Sequence, residues 1–241
     1  MNISAVLWDY DGTIIDSTRK NMAVTLEVLK HFIPDISNNI PKELTSIENY
    51  QEANYKYKNW KEFYKKCYGL SDEEVNEAGK LWSPCQLADD TIPDMFNEVN
   101  EVIKAFRNIK QGICSQNCSK NIEKTLKIFE LSKYFQSIIG YQDVSDDEQK
   151  PNPSGFLKCV ETLNISINNS TIIYIGDHQE DTRFGKNAEE YYCSKGYNVK
   201  VICIAASYSG HRTDDWLIKP DFIAYSTTDI INIIKKLLEE K

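Results

Sequence analysis

The chain has 241 residues, of which 41% are hydrophobic and 27% charged, with a formal net charge of −8. That length suits one large domain or a core with a smaller insert, and the apolar fraction suffices for a packed core. The acidic balance excludes wholesale nucleic-acid binding, which needs a basic face, and the lack of any run of about 18 apolar residues excludes a membrane-spanning helix.

Ile3–Trp8 is a short apolar run rich in β-formers that stops at Asp9 and is soon followed by Gly12, which predicts a buried strand presenting Asp9 at its carboxyl end. From 17 to 89 no strand pattern appears, whereas helical spacing is plentiful. Met22, Leu26, Leu29 and Phe32 share one helical face, 55–68 mixes aromatics with Lys and Glu at helical spacing, and Ser71-Asp72-Glu73-Glu74 reads as a helix start with a capping Ser. Residues 17–89 are thus expected to form an inserted helical subdomain, hinged at Thr18-Arg19-Lys20 and Asp89-Asp90-Thr91, with 1–16 and 90–241 as the core. The aromatics Tyr55, Tyr57, Trp60, Phe63, Tyr64 and Tyr68 could line a pocket, but a small bundle needs large side chains for its own core.

Beyond the insert, apolar runs at 112–114, 137–141, 171–175, 199–205 and 222–225 alternate with helical patterns such as 95–106, 122–129 and 156–163. Strands alternating with helices predict an α/β fold, a Rossmann-like parallel sheet covered on both faces. Residues 228–241 close the chain as an amphipathic helix with Ile and Leu on one face. The seven cysteines (Cys67, Cys85, Cys114, Cys118, Cys159, Cys193 and Cys203) are scattered, with no CxxC pair. Reduced thiols in a cytoplasmic protein are the expectation, and a zinc site is not. The first residues carry no basic segment leading into a long apolar stretch, so no targeting peptide is expected.

In open parallel sheets ligands sit beyond the carboxyl ends of the strands, so the polar residues just after each apolar run carry the chemistry. The first run ends in Asp9-Tyr10-Asp11-Gly12-Thr13. Two carboxylates this close repel unless a cation or a shared proton relieves them, and Mg²⁺ fits such a pair. Gly12 permits a tight turn and Thr13 offers a hydroxyl or amide to an anion. A solvated acidic turn is the other reading of this segment. The second run ends in Ser115-Gln116-Asn117, a hydroxyl and two amides, or else an ordinary polar loop before a helix. Lys150 precedes Pro151-Asn152-Pro153 after an acidic loop, and it can act as a point charge for phosphate or be a plain surface lysine. A later run ends in Gly176-Asp177, with Asp181 one helical turn on, which could hold a metal or simply favour a helix N-terminus. Four such ends arising together by accident is the less economical account.

Together these segments resemble the haloacid dehalogenase superfamily, in its phosphatase branch. Asp9-Tyr10-Asp11-Gly12-Thr13 is similar to its first motif, Ser115 to its second, Lys150 to its third, and Gly176-Asp177 with Asp181 to its fourth, in the family's order over nearly the whole chain. The helical insert resembles the cap of phosphoglycolate-phosphatase-like members. The resemblance implies a Mg²⁺-dependent phosphatase acting on a small phosphorylated metabolite. Asp9 would be the nucleophile and Asp11 the general acid and base. Thr13, Ser115, Gln116 and Lys150 would bind phosphate, and Asp9, the Asp11 carbonyl, Asp177 and Asp181 would hold the metal. Asp11 is absent from the first motif of dehalogenases, which argues for phosphoryl chemistry. Mutases similar to β-phosphoglucomutase tend to have Val where this chain has Thr13, which favours hydrolysis over that alternative. A non-catalytic binding protein of the same fold would be expected to have lost Asp9, Asp11 or Lys150, and all three are present. The resemblance assigns no role to His178 or to the polar stretch 186–199.

Overall fold

The computed structural model describes residues 1–57 and 60–239. The chain divides into two compact units, Met1–Asp16 with Met95–Lys241, and Ser17–Asp94.

In the first unit, β1 (Ile3–Trp8) is followed by the two-residue strand β2 (Ile15–Asp16). The second unit consists of α1 (Thr18–Leu29), α2 (Ile47–Lys56), α3 (Trp60–Tyr68) and α4 (Asp72–Ala88). After it come β3 (Asp94–Met95), α5 (Val99–Ala105), β4 (Lys110–Cys114), α6 (Ser119–Ile128) and β5 (Ser137–Ile139). The chain continues through α7 (Ser154–Leu163), β6 (Ser170–Gly176), α8 (Gln179–Ser194), β7 (Val199–Ala206), β8 (Phe222–Ala224) and α9 (Thr227–Glu239).

Six strands form one sheet in the order β5-β4-β1-β6-β7-β8, every neighbour parallel. This is the α/β, Rossmann-like architecture that the alternation of runs predicts. Period-two alternation sends Val6 and Trp8 of β1 to one face, where they join Val102, Ile103, Ile122, Leu126, Ile230 and Ile234 from α5, α6 and α9. Ala5 and Leu7 point the other way, into a second core with Phe156, Val160, Phe184 and Ala188 from α7 and α8. Both faces being dry explains why the strands read as continuous apolar runs. The polar edge of Trp8 is satisfied within the first core: its indole N–H donates to Gln111 Oε1 at 3.1 Å.

Some bounds differ from the sequence expectation. Within 95–106 only Val99–Ala105 is helical, because Asp94–Met95 is extended and Glu98 sits at positive φ before the helix. The run at 137–141 stops at Ile139, where the Gly140 N–H turns to Asp143 Oδ2 at 2.8 Å. The polar stretch 186–199 is largely α8, fastened by Lys186, whose ammonium donates to Asp221 Oδ2 at 2.7 Å and to the Val201 carbonyl at 3.0 Å. Of the expected C-terminal helix 228–241, the last two residues lie outside the described residues, as do 58 and 59 of the pattern at 55–68 and the side chain of Tyr55. Among the described residues no helix is long and apolar enough to cross a membrane.

The helical unit has its own core of Val24, Val28, Leu29, Phe63, Tyr64 and Tyr68. Phe63 packs edge-on against Tyr50 and Tyr64, and the Tyr64 hydroxyl donates to Thr25 Oγ1 at 3.3 Å. Phe63, Tyr64 and Tyr68 are therefore core, whereas Trp60 is 42% exposed. Ser71 and Glu74 form a reciprocal capping box at the start of α4. The two ends of the unit are joined by Lys20, which is buried in α1 and donates to the Asp89 carbonyl at 2.8 Å and the Thr91 carbonyl at 3.1 Å. Its ammonium also lies 3.4 Å from Asp89 Oδ1.

Replacing Lys20 leaves these carbonyls without their charged donor. Lys20→Met is expected to lower the free energy of opening of α1 and α4, read by hydrogen exchange, by about 2–3 kcal/mol. Unchanged protection in both helices would show that the lysine does not fasten the ends.

Candidate active site

The site is assembled where the sheet order reverses direction. From β1 the chain passes to β4 and β5 on one side, then returns to β6, β7 and β8 on the other. That leaves a crevice beyond the carboxyl end of β1, flanked by the ends of β4 and β6.

Asp9 leaves β1 with its N–H still donating to the Ile175 carbonyl at 2.8 Å, so its backbone is fixed by β6. The chain then turns sharply. Gly12 N–H donates to the Ile15 carbonyl at 2.8 Å, and Ile14 N–H to the Tyr10 carbonyl at 2.9 Å. Gly12 has φ of +75°, and a Cβ there would collide with the Asp177 carboxylate. Glycine is needed twice over, for the dihedral and for the space. At the tip of β6, space alone requires Gly176, where a Cβ would collide with the carboxyl group of Asp181.

Lys150 is the central cation. Its ammonium donates to Asp9 Oδ1 at 2.5 Å and Asp181 Oδ1 at 2.8 Å, and it lies 5.4 Å and 5.3 Å from the ring centroids of Tyr174 and Phe184. The loop carrying it is tied down by Gln149 Nε2 donating to the Tyr141 carbonyl at 2.6 Å and Asn187 Nδ2 to the Pro151 carbonyl at 2.8 Å. Asp181 also accepts from the Tyr174 hydroxyl at 3.3 Å and, through Oδ2, from the His178 N–H at 3.1 Å. The last bond caps α8, so the acid at the helix start serves the helix and the site at once. Asp177 Oδ1 lies 3.4 Å from Thr13 Oγ1, which donates to it.

Asp9, Asp177 and Asp181 are all buried, and one carboxylate oxygen from each lies within 4.8 Å of the other two. One lysine cannot neutralise three acids. Burial pushes the Asp9 carboxyl from 3.8 up to about 8 against the opposing pull of Lys150, with Asp181 and Asp11 adding to the rise. Asp177 is raised likewise, by burial and then by Asp9 and Asp181. Burial works against a charged Lys150, but Asp181 and Asp9 outweigh it and hold the ammonium protonated. Three buried carboxylates, each offering an oxygen to one point, fit a hard divalent ion such as Mg²⁺.

Asp11 is half-buried, and its side chain is turned to Asn117, whose Nδ2 donates to Oδ2 at 2.8 Å. It is not one of the three clustered carboxylates. Ser115 is buried at the end of β4, donates its N–H to the Ile139 carbonyl at 2.9 Å, and lines a small cavity with Lys150 and Gly140. Gln116 is exposed, and the neighbouring Asn117 is the amide turned inward. His178 is an exposed helix cap whose Nδ1 accepts from the Glu180 N–H at 3.3 Å, beside the ring of Trp216. Two further residues come from the segment after β7. His211 Nδ1 lies 2.8 Å from the Asp177 carbonyl oxygen, and the Tyr208 hydroxyl donates to the Thr13 carbonyl at 2.6 Å. Burial lowers the His211 pKa. These two come soon after a strand end, which is the signal by which the sequence could have marked them.

The family description "haloacid dehalogenase-like hydrolase" matches residues 6–193, and the chain belongs to that family. The chain is 26% identical over 240 residues to pyrophosphatase PpaX of Listeria innocua, with 97% of each covered. It is 25% identical over 248 residues to pyrophosphatase PpaX of Halalkalibacterium halodurans, covering 97% of this chain and 98% of that one. Among solved structures, a haloacid dehalogenase-like family hydrolase from Streptococcus pneumoniae superposes with a TM-score of 0.70 at 17% identity, over 96% of this chain and 98% of that one. CbbY from Rhodobacter sphaeroides, solved in complex with phosphate, gives 0.67 at 15% identity over 95% and 96%. These two show the shared fold.

An acid whose folded pKa exceeds its unfolded one stabilises the fold while protonated. For Asp9 that contribution is complete below about pH 4 and lost as pH rises through about 8. In chelator, Asp9→Asn is therefore expected to gain in Tm relative to the parent as pH rises across that window, and Mg²⁺ added at the upper end should narrow the gap by stabilising the parent. A Tm difference that stays flat from about pH 4 to 8 would contradict this.

Proposed function

We propose that this haloacid dehalogenase-like hydrolase is a Mg²⁺-dependent phosphatase that cleaves a small phosphomonoester through an aspartyl-phosphate on Asp9. The observation carrying this reading is the buried chain of Asp9, Lys150 and Asp181, with Asp177 beside it, at the carboxyl edge of the sheet. Asp9, Asp177, Asp181 and the main-chain carbonyl of Asp11 would hold the ion. When bound, it withdraws charge from the phosphoryl oxygens.

The remaining work falls to the chain's own groups. Lys150 already grips one oxygen of Asp9, which orients the carboxylate and offsets its repulsion from an incoming dianion. The Asp9 carboxylate attacks phosphorus, the bond from phosphorus to the leaving oxygen breaks, and the leaving oxygen takes the proton of Asp11. Asp11, now a carboxylate, removes a proton from water as that water attacks the same phosphorus. The bond to Asp9 breaks, inorganic phosphate leaves, and both acids return to their starting states. Ser115 and Lys150 would hold phosphoryl oxygens, and Thr13, whose hydroxyl is given to Asp177, would offer its main-chain N–H. Gln116, being exposed, could contribute its main-chain N–H, while its side chain has no role in this scheme.

A small phosphorylated metabolite is the substrate class we favour, with nucleic acid and membrane surfaces disfavoured by the charge of −8. Inorganic pyrophosphate is a second substrate reading, supported by the full-length likeness to proteins named pyrophosphatase PpaX. The chemistry is the same, with phosphate as the leaving group. All seven cysteines are free thiols, which accords with a cytoplasmic location.

The protein is expected to release inorganic phosphate from pyrophosphate or from members of a phosphomonoester panel, with dependence on Mg²⁺. Asp9→Asn should lower kcat by more than about 10³-fold, and Asp11→Asn by about 10²–10⁴-fold, with the fold of both intact. Recovery of an isomerised sugar phosphate in place of phosphate would favour the phosphomutase alternative. Absence of turnover across the panel by folded, Mg²⁺-supplied protein would sink the phosphatase reading.

A further inference from the structure

The five residues after β7 belong to none of the four motif segments, yet they hold two of them. The Tyr208 hydroxyl donates to the Thr13 carbonyl at 2.6 Å, gripping the turn that follows β1. Gly210 then reverses the chain at φ of +96°, and Ser207 Oγ donates to the His211 carbonyl at 2.6 Å, closing the segment on itself. This delivers the His211 ring to the tip of β6. There Nδ1 lies 2.8 Å from the Asp177 carbonyl oxygen and 2.9 Å from Asp177 Oδ2.

A main-chain carbonyl can only accept, so Nδ1 carries the hydrogen whichever charge the ring bears. The shared N–H ties the Asp177 carboxylate back to its own backbone. The other carboxylate oxygen accepts from Thr13 Oγ1 at 3.4 Å. Gly12 leaves the space in which the group lies. Asp177 is therefore held in one orientation by donors at both oxygens. Mg²⁺ demands near-octahedral geometry, so a ligand fixed beforehand loses less freedom on binding.

We infer that His211 is a positioning residue that presets the Asp177 carboxylate for a divalent cation. The inference rests on the reading of Asp9, Asp177 and Asp181 as the Mg²⁺ site. His211 acts through its Nδ1–H, a donor that the Nδ2–H of an asparagine can replace.

The test is calorimetric titration of Mg²⁺ alone into the metal-free, full-length protein, without substrate. The parent, His211→Phe, His211→Ala, His211→Asn and Asp177→Asn are compared, with circular dichroism and Tm in chelator to show that each is folded. Phe and Ala remove the donor with and without the ring's bulk, so a packing defect in one does not leave the question open. Both are expected to bind Mg²⁺ about 10–100-fold more weakly than the parent, and Asn to stay within about threefold of it. Undiminished affinity in folded His211→Phe or His211→Ala overturns the inference while leaving the metal site standing, as does equal weakening in all three His211 variants. Failure of the parent itself to bind Mg²⁺, with no difference from Asp177→Asn, overturns the metal reading and the inference with it.

Discussion

Three carboxylates buried around one ammonium set the terms for everything else at this sheet edge. Asp9, Asp177 and Asp181 cannot all be charged in a dry pocket where one ammonium, that of Lys150, bonds two of them. Burial raises the proton affinity of Asp9 and Asp177, which is costly near neutral pH and would be relieved by a divalent cation. The backbone is shaped around the same cluster. Gly12 and Gly176 are places where a single methyl group would displace a carboxylate. At these two points the backbone and the carboxylates leave no room for a further atom.

The sheet makes such a cluster possible. Residues that meet at the site are far apart along the chain, and Asp9 and Asp177 come together because they end the paired strands β1 and β6. A parallel sheet brings all its carboxyl ends to one edge, so each strand delivers its first polar residue to the same place. β1 lies between β4 and β6 and contributes the acid that touches groups from both sides. The apolar rows on either face of β1 hold that acid still. Trp8 and Leu7, the last two residues of the strand, are fully buried on opposite faces, so Asp9 extends from a rigid support.

Much of this is legible in the sequence because strand ends are sharp. The change from Trp8 to Asp9, or from Ile175 to Gly176-Asp177, is a change from apolar to polar side chains in one step, and pattern reading registers it well. Rotation about the chain beyond the strand leaves no such mark. After β4, a hydroxyl and two amides stand in a row, and composition alone does not say which faces inward. The backbone turn exposes Gln116 and buries Asn117, where Asn121 and the Cys118 N–H engage its carbonyl oxygen. His211 and Tyr208 stayed hidden for a related reason. They lie past the end of β7, and only the left-handed turn at Gly210 brings the histidine back to the edge. In the helical unit the aromatic spacing marked six candidates together, of which Phe63, Tyr64 and Tyr68 are core and Trp60 is 42% exposed, a division that composition alone does not make.

The two acids of Asp9-Tyr10-Asp11 show how neighbouring identical groups are given different chemistry. Tyr10 between them points into the apolar core and is fully buried, which anchors the turn and sends Asp9 and Asp11 to different surroundings. Asp9 faces Lys150 in the dry cluster, where an ammonium within hydrogen-bond reach opposes the rise that burial imposes on its carboxyl. Asp11 faces Asn117, and that amide has no freedom to turn. Its carbonyl oxygen accepts from the Cys118 N–H at 2.7 Å and from Asn121 Nδ2 at 3.2 Å, so its NH₂ group must point at Asp11. A neutral donor stabilises a carboxylate far less than an ammonium does, and Asp11 is also partly open to solvent. Asp9 is thus fixed by a buried ammonium, whereas Asp11 is held by one amide at a partly open edge of the site. Environment, set by the turns at the ends of β1 and β4, gives two acids two residues apart different partners, an ammonium for one and an amide for the other.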